Sequence, residues 1–135
     1  MMELKDKKVL VVGLARTGVS TAKFLVSKGA RVRVSDSSPK EKLARSLEDL
    51  KYLDLEIETG RHTEEWFIKA DLIVVSPGVP LDIKPLSAAQ HKGVAIISEI
   101  ELASRFIDAP IIAITGTNGK TTTSTLIGEI LKMSG

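Results

Sequence analysis

The sequence predicts an α/β protein, a Rossmann-like doubly wound parallel sheet followed by the strand, glycine-rich loop and helix that open a second unit. Three observations predict it. Short aliphatic runs such as Val9-Leu10-Val11-Val12 and Leu72-Ile73-Val74-Val75 are continuous rather than alternating, the pattern of strands buried on both faces. Stretches of helical period separate these runs, bounded by Gly, Pro and Asp. Two of the runs lead into a glycine turn and then a helix, the order in which a backbone presents N–H groups to an anion.

Taken along the chain, Lys8 to Val12 is the first strand. It enters Gly13-Leu14-Ala15-Arg16-Thr17-Gly18, and a helix from Val19 to Lys28 is stopped by Gly29. Arg31 to Ser35 is the second strand and closes on Asp36. Strand, glycine turn, helix, strand and acid is the order of a dinucleotide-binding unit, yet Ala15 replaces the middle glycine of G-x-G-x-x-G. The turn alone is therefore weak support for NAD, since tight strand-to-helix packing reads the same way. Ser37-Ser38-Pro39 opens a helix over Lys40 to Lys51 carrying Leu43, Leu47 and Leu50 at helical spacing. Leu53 to Ile57 is a third strand, and Thr63 caps a short helix containing Trp66 and Phe67. A lone Trp there reads as a core anchor before it reads as a platform for a base.

The fourth strand, Leu72 to Val75, ends in Ser76-Pro77-Gly78-Val79-Pro80, at the strand end where open α/β sheets bind ligands. The same residues build rigid turns without any function. Leu86 to Lys92 is a helix, Val94 to Ile97 a fifth strand and Glu99 to Phe106 another helix. Asp108-Ala109-Pro110 breaks it and marks the boundary between a first domain, residues 1–108, and a second unit, residues 109–135. His62 and His91 lack partners at metal-ligand spacing and read as surface residues.

Past the boundary, Ile111-Ile112-Ala113-Ile114 reads as a central strand. It runs into Gly116-Thr117-Asn118-Gly119-Lys120-Thr121-Thr122, and Thr121 to Met133 suits a helix. Loop glycines let successive N–H groups converge on a phosphate. Lys120 reaches terminal phosphate oxygens, and the Thr121 hydroxyl is placed to ligate the accompanying Mg²⁺. An ordinary turn also uses Gly and Asn, but Gly-Lys-Thr directly after a strand-like run favours phosphate binding. The loop departs from G-x-x-x-x-G-K-[ST]: Ile114 stands where the first glycine would be, and the motif is two residues shorter.

With 43% apolar and 27% charged residues the 135-residue chain is globular in composition, with a core suited to one full domain. A net charge of +2 with interspersed signs gives no reason to invoke nucleic acid. The absence of cysteine removes disulfides and thiolate chemistry. No basic stretch followed by an apolar one marks a leader, and no apolar run approaches the roughly 20 residues of a membrane helix, so a cytoplasmic location is expected.

The short loop Thr115-Gly116-Thr117-Asn118-Gly119-Lys120-Thr121-Thr122 resembles the ATP site of the Mur ligases and folylpolyglutamate synthetases, which join an amino acid to a carboxylate with ATP. Gly13 to Gly18, the strand ending at Asp36, Ser76-Pro77-Gly78-Val79 and Glu99-Ile100-Glu101-Leu102 extend the resemblance along the whole chain. They point to the D-glutamate-adding branch of the Mur ligases. That resemblance implies UDP-substrate contacts at Arg16 and Thr17 (diphosphate), Asp36 and Ser37 (uridine), and Ser76, Pro77 and Gly78 (uracil and ribose). It implies ATP contacts at Gly116 to Thr122, with Lys120 catalytic and Thr121 on Mg²⁺. The implied reaction is ATP-dependent addition of D-glutamate to UDP-N-acetylmuramoyl-L-alanine through an acyl phosphate, in peptidoglycan precursor synthesis. Ala15 stands where the family has glycine, and Ser38 where an arginine can stack on uracil. The stretch 109–135 then reads as the start of a truncated ATPase domain. Such a fragment is expected to be inactive and either to self-associate through residues 111–135 or to leave them mobile relative to the first domain, although the full enzyme would be a monomer. A dehydrogenase fragment or a non-catalytic nucleotide-binding module are the alternatives.

Overall fold

The computed structural model describes residues 2–135. Strands β1 (Lys8–Val12), β2 (Arg31–Asp36), β3 (Leu55–Thr59), β4 (Leu72–Val75) and β5 (Ala95–Ser98) form one parallel sheet in the order β3-β2-β1-β4-β5. Helices α1 (Arg16–Ser27), α2 (Ala44–Leu50, entered through a 3₁₀ turn at Lys40–Leu43), α3 (Glu64–Ile68), α4 (Lys84–His91) and α5 (Glu99–Ser104) connect and follow the strands. The doubly wound α/β class read from the sequence is the one observed. Strand and helix bounds move by one to three residues, because strand ends are set by ladder pairing that no local pattern reveals.

The aliphatic strands do what their composition requires. β1 is central, with Val9 to Val12 opposite Val32 to Ser35 on one side and Leu72 to Val75 on the other. Val9 and Val11 turn to one face, where they pack with Val32, Val34, Leu72 and Val74 beneath α1, α2 and α5. Leu10 and Val12 turn to the opposite face and pack with Ile73 and Val75 under Phe67 of α3 and Leu86 and Ala89 of α4. Fully burying one such side chain is worth about 1.5–3 kcal/mol, so a strand buried on both faces is held mainly by this term.

The second face is not covered evenly. Where β1 and β4 present aliphatics and β5 presents Ile96, β2 presents Arg33 and Ser35, and β3 presents Glu56 and Glu58 at the paired positions. The five-residue α3 borders this half of the sheet through Trp66. Arg33 pairs with Glu56 at 2.8 Å and lies over the Trp66 ring at 4.8 Å. Trp66 is half-buried, packing against the core of this face while carrying a cation on its ring; the fully buried aromatic is Phe67. Thr63 precedes α3, but its hydroxyl donates to Glu58 and does not cap the helix.

Residues 111–114 form no strand, contrary to the pattern of their side chains. Ile111 is 56% and Ile112 58% exposed. An extended apolar run becomes a strand only when a neighbour accepts its ladder hydrogen bonds, and among the described residues none pairs with it. Helix α6 (Lys120–Ser134) forms as predicted but buries no residue. No helix of the described residues is long and apolar enough to cross a membrane.

Candidate functional site

All five strands point their carboxyl ends the same way, and the loops leaving four of them meet there. The loop after β1 brings Gly13 and Ala15, that after β2 Asp36, Ser37 and Ser38, and that after β3 His62; Ser76 to Pro80 follow β4. Together with Ile83 they line a cavity of about 410 Å³.

The turn after β1 is made possible by two glycines. Gly13 has φ +96°, and a Cβ there would lie 2.8 Å from Val79 Cγ2. A Cβ on Gly18, in the first turn of α1, would lie 2.1 Å from the Gly13 carbonyl oxygen. The helix can thus start hard against the strand end. Its N-terminus has no side-chain cap and no acid in the first turn. The N–H groups of that turn have no partner within the helix, which leaves them for an anion. Arg16 and Thr17 occupy this turn as exposed residues beside the cavity rather than in its wall.

Asp36 joins the loops. One carboxylate oxygen accepts the Leu14 N–H at 2.6 Å and the other accepts the Ser38 N–H at 2.7 Å. Ser76 is buried, with its hydroxyl 3.1 Å from the Gly13 carbonyl oxygen and in hydrogen-bond contact with Glu99. Ser46 of α2 donates to the Leu14 carbonyl at 3.0 Å. These bonds hold the turns after β1, β2 and β4 in fixed relation, so Asp36 and Ser76 are scaffold as well as lining. Pro77 and Gly78 are exposed at the rim and Ser37 beside Asp36.

A cluster that the sequence reading missed lies at the end of β2 and β3. His62 is half-buried, not a surface residue: its ring meets Phe67 edge to face at 5.5 Å, and Nδ1 is 2.7 Å from Ser35 Oγ. Ser35 Oγ also lies 3.3 Å from Glu58 Oε1. Glu58, 8% exposed, accepts from the Thr63 N–H at 2.7 Å, from the Thr63 hydroxyl and from Arg61 Nε at 3.0 Å. Burial alone would raise the Glu58 pKa, but the bonds from Thr63, Ser35 and Arg61 outweigh it and hold the carboxyl below its ordinary range. Burial lowers the His62 pKa, against the opposing pull of the Asp36 and Glu58 carboxylates. Position in a loop directly after a strand, the signal used for Ser76 to Pro80, would have singled out His62 as well.

The glycine-rich loop lies apart from the cavity lining. Gly119 has φ +78° with open space around its Cα, and helix α6 starts at Lys120. The Lys120 ammonium bends back onto the Gly116 carbonyl and closes the loop on itself. The α6 N-terminus has neither a capping side chain nor an acid in its first turn. Free helix N–H groups, a cation curled over them and Thr121 in the first turn are the donor set a phosphate with its metal ion needs, so these residues fit ATP and Mg²⁺. A larger hollow, about 830 Å³, opens at the amino ends of β1 to β3, where Lys8, Arg31, Arg33 and Lys69 are matched by Asp6, Asp54, Glu56 and Glu65. Its charges largely neutralise each other, and it lies away from the strand ends that gather the loops.

Comparison with known proteins gives a consistent answer. A family model described as the N-terminal domain of MurD-like Mur ligases matches residues 7–98. The chain is 60% identical over 134 residues to the UDP-N-acetylmuramoylalanine–D-glutamate ligase of Geotalea daltonii; the match covers 99% of this chain and 30% of that protein. The chain thus spans about 30% of the length of the curated relatives it matches. Among solved structures, UDP-N-acetylmuramate-alanine ligase MurC from Thermotoga maritima superposes with a TM-score of 0.58 at 27% identity, over 93% of this chain and 29% of that one. A pseudomurein peptide ligase type C from Methanothermus fervidus gives 0.56 at 31% identity, over 96% of this chain and 27% of that one.

Proposed function

Since the chain belongs to the Mur ligase family and carries its MurD-like N-terminal domain, we propose that the cavity at the carboxyl edge of the sheet holds the nucleotide end of UDP-N-acetylmuramoyl-L-alanine. The observation that carries this reading is the uncapped start of α1 abutting that cavity, which offers N–H donors and Arg16 to a diphosphate. Thr17 lies in the same turn. In this reading Asp36 and Ser37 meet the uridine, and Ser76, Pro77 and Gly78 flank its uracil and ribose from the β4 side of the cavity.

Gly116 to Thr122 bind ATP, and the protein of which this chain forms part adds D-glutamate to the UDP-linked substrate in the cytoplasm. Bound ATP supplies the phosphoryl group that activates the substrate carboxylate as an acyl phosphate, with Mg²⁺ screening its charge. The residues of this chain position and neutralise. Lys120 would exchange the Gly116 carbonyl for terminal phosphate oxygens, the first-turn N–H groups of α6 would hold phosphate oxygens, and Thr121 would offer its hydroxyl oxygen to the metal ion. The amine of D-glutamate then displaces phosphate from the activated carbonyl. The fold is shared with NAD enzymes, so ligand choice is the test. Calorimetry should show UDP binding tighter than NAD, and Arg16→Ala should weaken UDP by about tenfold or more, since a hydrogen bond to a charged group is worth about 1.5–3 kcal/mol. NAD binding more tightly than UDP would overturn the reading.

A further inference from the structure

His62 is used by nothing in the account so far, yet its side chain is firmly held in the cavity wall. Its ring is fixed twice, by the edge-to-face contact with Phe67 and by the 2.7 Å contact of Nδ1 with Ser35 Oγ. Phe67 and Ser35 are both completely buried. The direction of that second bond follows from the donors available. Ser35 has one hydroxyl hydrogen and two acceptors in reach besides the ring, Glu58 Oε1 at 3.3 Å and the Arg61 carbonyl at 3.4 Å. Glu58 is ionised, so an oxygen of Ser35 facing it must bring a proton. Ser35 Oγ is then left as an acceptor, and His62 Nδ1 carries the hydrogen. Imidazole with hydrogen on Nδ1 has a bare lone pair on Nε2. That nitrogen lies on the far side of the ring from Ser35, has no hydrogen-bond partner among the described residues, and belongs to a side chain that lines the cavity.

The place of this lone pair in the cavity limits what it can meet. The anion end of the cavity is the α1 start, beside β1; Asp36 lies one strand further out, and His62 two strands out, after β3. With its phosphates at α1 and its ribose beside Asp36, a nucleoside diphosphate would bring its base to the β3 side of the cavity, where His62 stands across from Ser76 to Gly78. Taking the nucleotide reading of the cavity as given, we infer that His62 is a specificity residue whose Nε2 accepts a hydrogen bond from the ring N–H of a uracil base. Cytosine has no hydrogen at the corresponding ring nitrogen and would set lone pair against lone pair. Uracil and cytosine are thereby told apart by one neutral acceptor, held in its tautomer through Ser35 and Glu58.

The probes are UDP and CDP, titrated calorimetrically into the chain and two variants. His62→Asn keeps an N–H donor near the Nδ1 position for Ser35 but has nothing at Nε2; His62→Gln retains a polar group near Nε2 but loses the Ser35 bond. The native chain should prefer UDP over CDP by about tenfold, and His62→Asn should lose most of that preference, while thermal unfolding shows it still folded. His62→Gln should retain part of it. A residue with only a structural role would lower both affinities together and leave their ratio unchanged. UDP binding with the ratio unchanged in folded His62→Asn overturns this inference alone. Failure of the native chain to bind UDP overturns the nucleotide reading and the inference with it.

Discussion

Replacing Gly18 by alanine sets two physical effects against each other, and the structure decides the sign. Gly18 lies in the first turn of α1, where intrinsic helix propensity favours alanine by about 1 kcal/mol. A methyl group there would meet the Gly13 carbonyl oxygen at 2.1 Å, the Gly13 carbonyl carbon at 3.1 Å and Ser76 Oγ at 3.0 Å. The nearest obstacle is main chain, itself fixed by the Gly13 N–H bond to the Ser35 carbonyl at 2.9 Å. Relief thus requires α1 to lift off the end of β1. Overpacking typically costs about 1–3 kcal/mol, and contact with a pinned carbonyl belongs at the upper end. The net expectation is destabilisation by about 2 kcal/mol, or a fall in Tm of roughly 8–16 °C for a domain near 100 residues. Urea unfolding and calorimetry measure it. Gly128→Ala is the control: nothing lies within 4 Å of that Cβ, so propensity acts alone and helical circular dichroism should rise. A Gly18→Ala variant at least as stable as the native chain would refute the close approach of helix and strand on which the site geometry rests.

Other outcomes can be checked independently. Lys120→Ala should abolish measurable ATP binding yet leave UDP binding within about twofold, because Lys120 contacts its own loop and no part of the cavity; an equal loss of both ligands would contradict this. His62 binds its proton less readily folded than unfolded, so its contribution to stability is complete above the ordinary value of 6.5 and is lost as the pH falls through it, with Asp36, Glu58 and Arg61 the charged groups around it. Glu58, held below its ordinary 4.5, gives stability that is lost only at lower pH. Melting temperatures of His62→Asn should accordingly fall less between pH 7.5 and 5.5 than those of the native chain, and parallel curves would exclude the effect. Residues 111–115 should exchange amide hydrogen much faster than Val9 to Val12 in the isolated chain, with light scattering reporting any self-association; equally slow exchange in a strict monomer would show those residues docked on their own domain.

The legibility of this chain followed the physics of its segments. Val9 to Val12 and Leu72 to Val75 could be placed because a strand buried on both faces leaves an unbroken aliphatic run, and composition alone records it. Ile111 to Ile114 carry the same signature without the strand, since composition is silent about whether a neighbour pairs. The strand-end loops carrying Asp36 and Ser76 were visible from their position after β-branched runs. Their use as main-chain anchors was not, because an acid that accepts from Leu14 and Ser38 looks in sequence like one that faces a ligand. Glu58 and His62 were passed over for a related reason. Each is polar and close to a turn, and only the pairing of β2 with β3 shows that Ser35 stands between them.

The register of the central strand has a bearing on how the molecule comes to exist. β1 gains its second neighbour only from residues 72–75, and the cavity that begins at Gly13 closes with Ser76 to Ile83. A parallel partner cannot be supplied by a hairpin, so no early local pairing can substitute for it. On the ribosome the first strand therefore waits, one side unsatisfied, until more than half of these 135 residues have been made. Contacts of such long sequence separation are slow to form and leave aliphatic surface uncovered meanwhile. The cavity lining is complete at Ile83, but Ser76 gains its Glu99 partner and the sheet its fifth strand only afterwards, so the site is fixed late in the making of the domain.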